Sequence, residues 1–188
     1  MGIPTARQQR SDERRQRIVD AARELSDAEG WAAVTTRRLA DAIGYTQPVL
    51  YGHFPGGKSE IMRAVALEGF ADLARRCRES IGRRTGRRAV EAVARTYLDF
   101  AAAHPALYEA MFQLPIAARF AVEDNEPELR SGFDALARAL GDEGDGTVTE
   151  VFWGTLHGVS QLERAGRMRP EHRAHRIAEI GTRFAPAV

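Results

Sequence analysis

The chain has 188 residues, of which 28% are charged and 44% apolar, and a net charge of +1. Those proportions exclude a disordered chain and describe a folded protein large enough for one or two small domains with a real core. Its single cysteine, Cys77, excludes a disulfide framework and fits a reducing cytoplasm.

Residues 1–9 read as a flexible arm. Arg7, Arg10, Arg14, Arg15 and Arg17 follow one another closely, but no apolar run comes after them, so neither a signal peptide nor a membrane span is expected. Ser11 offers an N-cap for a first helix, with Asp12 and Glu13 in its first turn, where the helix dipole favours anions. Ile18, Ala22 and Leu25 give that helix an inner stripe, and it ends near Gly30.

The stretch TTRRLADAIGYTQPVLYGHF, residues 35–54, reads as two short helices joined by a tight turn. Thr35 or Thr36 caps the first, Leu39, Ala40 and Ile43 form its apolar side, and Gly44 ends it in the left-handed conformation. Thr46 stands ready to cap the second, with Pro48 in its first turn. Leu50 and Phe54 face inward, which leaves Gln47, Val49, Tyr51 and His53 to point elsewhere. A short helix that presents a Gln, a Tyr and a His to water has the chemistry to read DNA.

Pro55, Gly56 and Gly57 break the chain, and a long helix runs from about Ser59 to Ile81 with Ile61, Val65, Leu73, Cys77 and Ile81 near one face. Gly69 inside it reads as a close packing point more than a hinge. Residues 82–88, GRRTGRR, form a loop. Val90, Val93, Tyr97 and Phe100 mark a fifth helix that stops at His104-Pro105, and Leu107, Tyr108, Met111 and Phe112 mark a short sixth. Leu129, Phe133, Leu136 and Leu140 lie on a seventh, followed by an acidic linker at 141–146 whose spacing does not suit calcium. Thr147 to Ala165 and Pro170 to Phe184 close the chain as two helices. The eighth has one stripe of Val148, Phe152, Leu156 and Val159 and another of Trp153, His157 and Gln161, so it is expected to touch its own domain and something else. No strand pattern occurs. The expected fold is all-α, with about nine helices.

The run Ala21-Ala22-Arg23-Glu24-Leu25, Gly30, Thr35-Thr36-Arg37, Leu39-Ala40, Gly44 and Leu50-Tyr51 before His53-Phe54 resembles the DNA-binding domain of the tetracycline-repressor (TetR) family. One departure stands out: the family places a lysine six residues after the tyrosine, whereas Gly57 holds that place here and Lys58 follows. The resemblance implies a three-helix helix-turn-helix head over 10–57 and a ligand-sensing and dimerisation domain over 58–188. It implies that Arg37 and Gln47 meet base edges, since Arg pairs with guanine and Gln with adenine. Thr36, Thr46, Tyr51, His53 and Lys58 join the DNA-binding set, with Thr46, Tyr51 and His53 as phosphate contacts that fix register. Pro48 and Val49 offer apolar surface to a thymine methyl.

HPALYEAMF at 104–112 and Trp153-Gly154-Thr155-Leu156-His157-Gly158 resemble a sensor subgroup of that family with a Trp…His-Gly signature. Gly158 would let another backbone approach. Phe100, Tyr108, Met111, Phe112, Phe133, Trp153 and His157 are the expected ligand-binding residues, an aromatic cluster with one imidazole suited to a small, mostly apolar molecule.

The charge distribution agrees with such a division. Residues 1–88 carry 17 basic and 11 acidic side chains, while 89–188 carry 10 and 15, so only the first half suits a polyanion. His172, His175, Glu171 and Glu179 have a spacing that ordinary surface helices share, so no metal is expected, and no cofactor. No nucleophile or acid/base pair can be named, which argues against an enzyme. The reading is a cytoplasmic homodimer, paired through its last two helices, that binds palindromic operator DNA and is released by a small-molecule inducer. The alternative is an all-α small-molecule binding protein without sequence-specific DNA binding.

Overall fold

The computed structural model describes residues 5–112 and 126–186. Among them are nine α-helices and no strand: α1 (Ala6–Glu29), α2 (Thr36–Ile43), α3 (Gln47–His53), α4 (Gly57–Ile81), α5 (Gly86–Ala103), α6 (Pro105–Phe112), α7 (Pro127–Leu140), α8 (Thr147–Arg164) and α9 (Arg173–Phe184). Short 3-10 turns at Trp31–Ala33 and Pro170–His172 precede α2 and α9.

The first helix begins earlier than its sequence suggested. Thr5 and Gln8 form a capping box: the Gln8 N–H donates to Thr5 Oγ1 at 3.3 Å and the Thr5 N–H to Gln8 Oε1 at 2.9 Å. That reciprocal pair outcompetes Ser11, so Ala6 to Gln9 are helical instead of part of an arm. The fifth helix likewise starts at Gly86, which places Arg87 and Arg88 on a helix and not in a loop.

The described residues fall into two compact units, one of residues 5–69 and 104–112, the other of residues 70–103 and 126–186. The segment 10–57 lies within the first unit, which also takes in α6. In it α1 packs against α2, α3 and α6, around Ile18, Ala22, Leu39, Leu50 and Phe54, all of them buried. Leu25 is only half-buried, and Val19 and Ser26 share its inner side instead. Trp31 is buried, and its indole N–H donates to the Ala106 carbonyl of α6 at 2.7 Å. Gly69 is a packing point, as its sequence position suggested. A Cβ there would stand 2.7 Å from Met111 Sδ and 2.9 Å from Leu107 Cδ1, so only glycine lets α6 seat this close to α4.

In the second unit α5 is the central helix and packs against α7, α8 and α9. Val90, Val93, Tyr97, Leu136, Phe152, Leu156 and Ile177 are buried there. The inner stripe of α8 differs from the one expected. Thr149, Phe152, Leu156 and Ser160 face the core, whereas Val148 is 52% exposed. A period of 3.6 allows either neighbouring line, and the carboxylate of Asp142 decides. It accepts from both the Thr149 N–H and the Thr149 hydroxyl, the latter at 2.6 Å, and so turns Thr149 inward.

Candidate nucleic-acid interface

The turn between α2 and α3 is built by local chemistry. Thr35 Oγ1 accepts from the Arg38 N–H at 3.2 Å and starts α2. Gly44 ends it at φ 68°, and the Tyr45 N–H reaches back to the Ala40 carbonyl at 2.9 Å, the bonding of a left-handed helix stop. Arg38 fixes α2 to the end of α1 through both Glu29 oxygens, at 2.9 and 2.6 Å. That bond holds the exposed Glu29 carboxyl below its ordinary pKa.

Thr46 occupies the N-cap of α3 with extended backbone, yet its side chain makes no cap bond. The reason lies two residues on. A cap hydroxyl needs the N–H of the second or third helical residue. Pro48 has none, and the Val49 N–H is already given to the Thr46 carbonyl at 3.0 Å. The expectation of a side-chain cap is thus corrected, and the exposed hydroxyl of Thr46 is left for another partner.

Leu50 and Phe54 are fully buried, while Gln47 and Pro48 are exposed, Val49 is 39% exposed and Tyr51 45%. Arg37 is exposed as well, and Thr36 and His53 are half-buried. Tyr51 lies against Gly57. A Cβ on Gly57, which sits at φ 60°, would be 3.3 Å from Tyr51 Cε1 and 3.9 Å from both Tyr51 Oη and Thr36 Cγ2. The glycine that displaces the expected lysine is therefore the floor on which the tyrosine ring rests. Lys58, one residue later, directs its ammonium to the Trp31 carbonyl at 2.6 Å.

Two residues that sequence reasoning passed over also shape this surface. Tyr45, half-buried in the turn, has its hydroxyl within 3.4 Å of Arg17 Nη1, and Arg15 stacks 4.3 Å above the Phe54 ring. Nothing in the sequence but the position of Tyr45 between Gly44 and Thr46 pointed to it.

The expected ligand-binding residues divide between the two units. Tyr108, Met111 and Phe112 are on α6 in the first, with the Tyr108 and Phe112 rings 4.5 Å apart. Phe100, Phe133, Trp153 and His157 are in the second. There the Trp153 indole N–H donates to the Tyr97 hydroxyl at 3.2 Å, a partner that the sequence did not nominate. Burial pushes the His157 imidazole below its ordinary pKa. Phe133 packs on the loop before α8, 3.2 Å from where a Cβ of Gly146 would be. A Cβ on Gly158 would meet nothing within 4 Å, so no close backbone approach requires that glycine inside the chain. Among the described residues no group of three or more His, Cys, Asp or Glu side chains could hold a metal ion, and no helix is long and apolar enough to cross a membrane.

Two family models match this chain: that of the bacterial regulatory proteins of the tetR family over residues 18–65, and that of the tetracyclin repressor-like C-terminal domain over residues 90–184. The chain belongs to the TetR family. It is 36% identical over 93 residues to the HTH-type transcriptional regulator YobS of Bacillus subtilis, a match covering 50% of this chain and only 48% of that one. It is 28% identical over 163 residues to the HTH-type transcriptional regulator Rv0681 of Mycobacterium tuberculosis, covering 82% of this chain and 72% of that one. In fold it is similar to a tetR-family transcriptional regulator from Streptomyces coelicolor, with a TM-score of 0.68 at 22% identity over 98% of this chain and 80% of that chain. Within the TetR family the matched N-terminal model spans α2 and α3 entirely, the elements whose exposed residues are described above.

Proposed function

We propose that this TetR-family chain is a ligand-responsive transcriptional regulator, a repressor that leaves a palindromic operator when a small, largely apolar molecule binds. The observation that carries the reading is the two-sidedness of α3. Leu50 and Phe54 anchor it completely, while Gln47, Pro48, Val49 and Tyr51 remain open to solvent. A buried anchor with an exposed amide and phenol is what base reading from the major groove needs. Gln47 and Arg37 read bases, Pro48 and Val49 lie against a thymine methyl, and Thr36, Thr46, Tyr51 and His53 hold phosphates.

The protein acts as a homodimer through α8 and α9. Val148, Val151 and Leu162 expose 52%, 56% and 40% of their surface along α8. Val148 and Val151 border one groove of about 540 Å³, and a second of about 700 Å³ lies between α8 and α9, where Val159, Ile180 and Phe184 are rimmed by His172, His175, Arg176, Glu179 and Arg183. Two copies laid together would cover both and form a four-helix bundle. An inducer held near Phe100, Phe133, Trp153 and His157, or near Tyr108, Met111 and Phe112, would favour a sensor state that spaces the heads wrongly for half-sites about 34–36 Å apart.

The test is fluorescence anisotropy on duplexes tiled across the DNA flanking the gene, against scrambled duplexes at near-physiological salt. A preference of about 10³ or more supports the reading. Salt-dependent binding without any preference favours the alternative of a small-molecule binding protein. The inducer arm is tested by reciprocity: operator must weaken ligand binding by the factor by which ligand weakens operator binding.

A further inference from the structure

We propose that one side of α1 is a sequence-independent phosphate-binding face that extends the DNA interface beyond the bases read by α3. Arg7, Arg10, Arg14 and Arg17 are spaced three, four and three residues apart, so they share one side of the helix, and all four are exposed. Ala21, Leu25 and Ala28 continue the same line. Glu13 and Glu24 flank it, and Asp12, Asp20, Asp27 and Glu29 stand at other angles of the helix.

Folding alone gives no reason for this arrangement. Cations near a helix N-terminus oppose the helix dipole, and this helix has no acidic residue in its first turn. Like charges three and four residues apart repel one another. Arg38, Arg75, Arg76, Arg87, Arg173 and Arg176 all find carboxylates. Arg7, Arg10 and Arg14 make no ion pair among the described residues. The Thr5–Gln8 capping box nevertheless holds the first turn, so these side chains are presented on a rigid element and not on a loose arm. An external polyanion relieves both penalties at once.

The line also begins at the right place. Arg17 meets the hydroxyl of Tyr45, and Tyr45 lies in the turn that leads directly into α3. From Arg17 to Arg7 the helix rises about 15 Å, at roughly 1.5 Å per residue. That length matches about four base-pair steps of roughly 3.4 Å along one strand.

This inference rests on the reading of α3 as the DNA reader, and the experiment separates the two. The probe is a 40-base-pair duplex enriched by the wild-type protein from a random-sequence pool, with its scrambled counterpart. Affinity is measured by anisotropy across a salt series for wild type, for Arg7→Gln, Arg10→Gln and Arg14→Gln combined, and for Arg88→Gln, Arg95→Gln and Arg138→Gln combined as a charge-matched control. Circular dichroism confirms that both variants keep the wild-type helix content. The expected result is a log–log salt slope shallower by roughly 2 to 3 per bound head in the α1 variant, at about 0.9 per lost phosphate contact. Its preference for the enriched over the scrambled duplex stays unchanged, and the control keeps the wild-type slope. An unchanged slope in the α1 variant overturns the phosphate face while leaving α3 as reader. An equal fall in the control overturns it too, because the effect would then be net charge alone. If the pool enriches no duplex, the reading of α3 fails and the phosphate face falls with it.

Discussion

The ammonium of Lys58 donates to the Trp31 carbonyl at 2.6 Å, tying the start of α4 to a turn 27 residues earlier. The lysine that resemblance placed in the DNA-binding set is thereby engaged inside the head. Lys58→Met should lower stability by roughly 1.5 to 2 kcal/mol, the lower part of the range for charge-assisted bonds, since the site is half-open to water. Urea denaturation reads that loss. The salt slope of DNA binding should not change, and a slope shallower by about 0.9 would return Lys58 to the phosphate contacts.

On the proposed reading, Gln47 meets a base and Tyr51 a phosphate, and the two substitutions should behave differently. Gln47→Ala should alter which duplexes are preferred, with about 1–3 kcal/mol of discrimination lost at one position. Tyr51→Phe keeps the ring on Gly57 and removes only the hydroxyl, so it should weaken all duplexes alike by about 1 kcal/mol. Competition anisotropy on single-base variants of the enriched duplex distinguishes them. Equal losses across sequences for Gln47→Ala would remove its reading role.

Thr46 gives an unusual case of an N-cap without its bond. An ordinary cap replaced by alanine costs about 1 kcal/mol. Here Pro48 has already removed the donor, so Thr46→Ala should leave the melting temperature within about a degree while weakening DNA binding. A large fall in melting temperature would mean that the hydroxyl caps the helix after all.

What the sequence made legible was mostly local. Thr35, Gly44 and the buried pair Leu50 and Phe54 act within a few residues of themselves, and the rules of caps and periodicity reach that far. The start of α1 was misplaced because Ser11 with its acidic neighbours and Thr5 with Gln8 are both valid caps, and only the bond geometry chooses. The 3.6-residue period could not tell that Val148 faces outward, since that is settled by Asp142, which holds Thr149 seven residues on. The Trp31–Ala106 bond spans 75 residues, and no local pattern announces it. For the expected sensor residues only the side-chain types were legible, not their partners. Tyr97, which holds Trp153, was visible only as one more apolar position.

Gly181 of α9 lies close against α5. A Cβ there would collide with Glu91 of α5, with the carboxylate Oε1 2.8 Å away. Glu91 is in turn held by Arg87 at 2.6 Å. Gly181→Ala should destabilise by about 1–3 kcal/mol, the usual cost of overpacking. Adding Glu91→Ala should recover most of it. Failure of the double variant to recover would place the cost in the α9 backbone.

His157 supplies a pH dependence. Burial holds its pKa in the folded state below that of the unfolded chain, so the unfolded state takes the proton first as pH falls. Its contribution is absent at neutral pH and destabilises progressively below about pH 6.5. Between pH 7.5 and 5.5 the melting temperature of wild type should therefore fall further than that of His157→Gln. Parallel declines would mean that the imidazole is free to protonate in the fold.

The indole of Trp31 has a practical consequence for anyone who wishes to exchange DNA specificities between members of this family. Its acceptor, the Ala106 carbonyl, belongs to a helix that lies far downstream in the chain. A graft cut after α3 or midway along α4 would deprive the tryptophan of that acceptor and strip α1 of the neighbour it packs against. Chimeras should fold and respond better when α6 travels with the head as one transplanted piece, even though this requires two junctions instead of one.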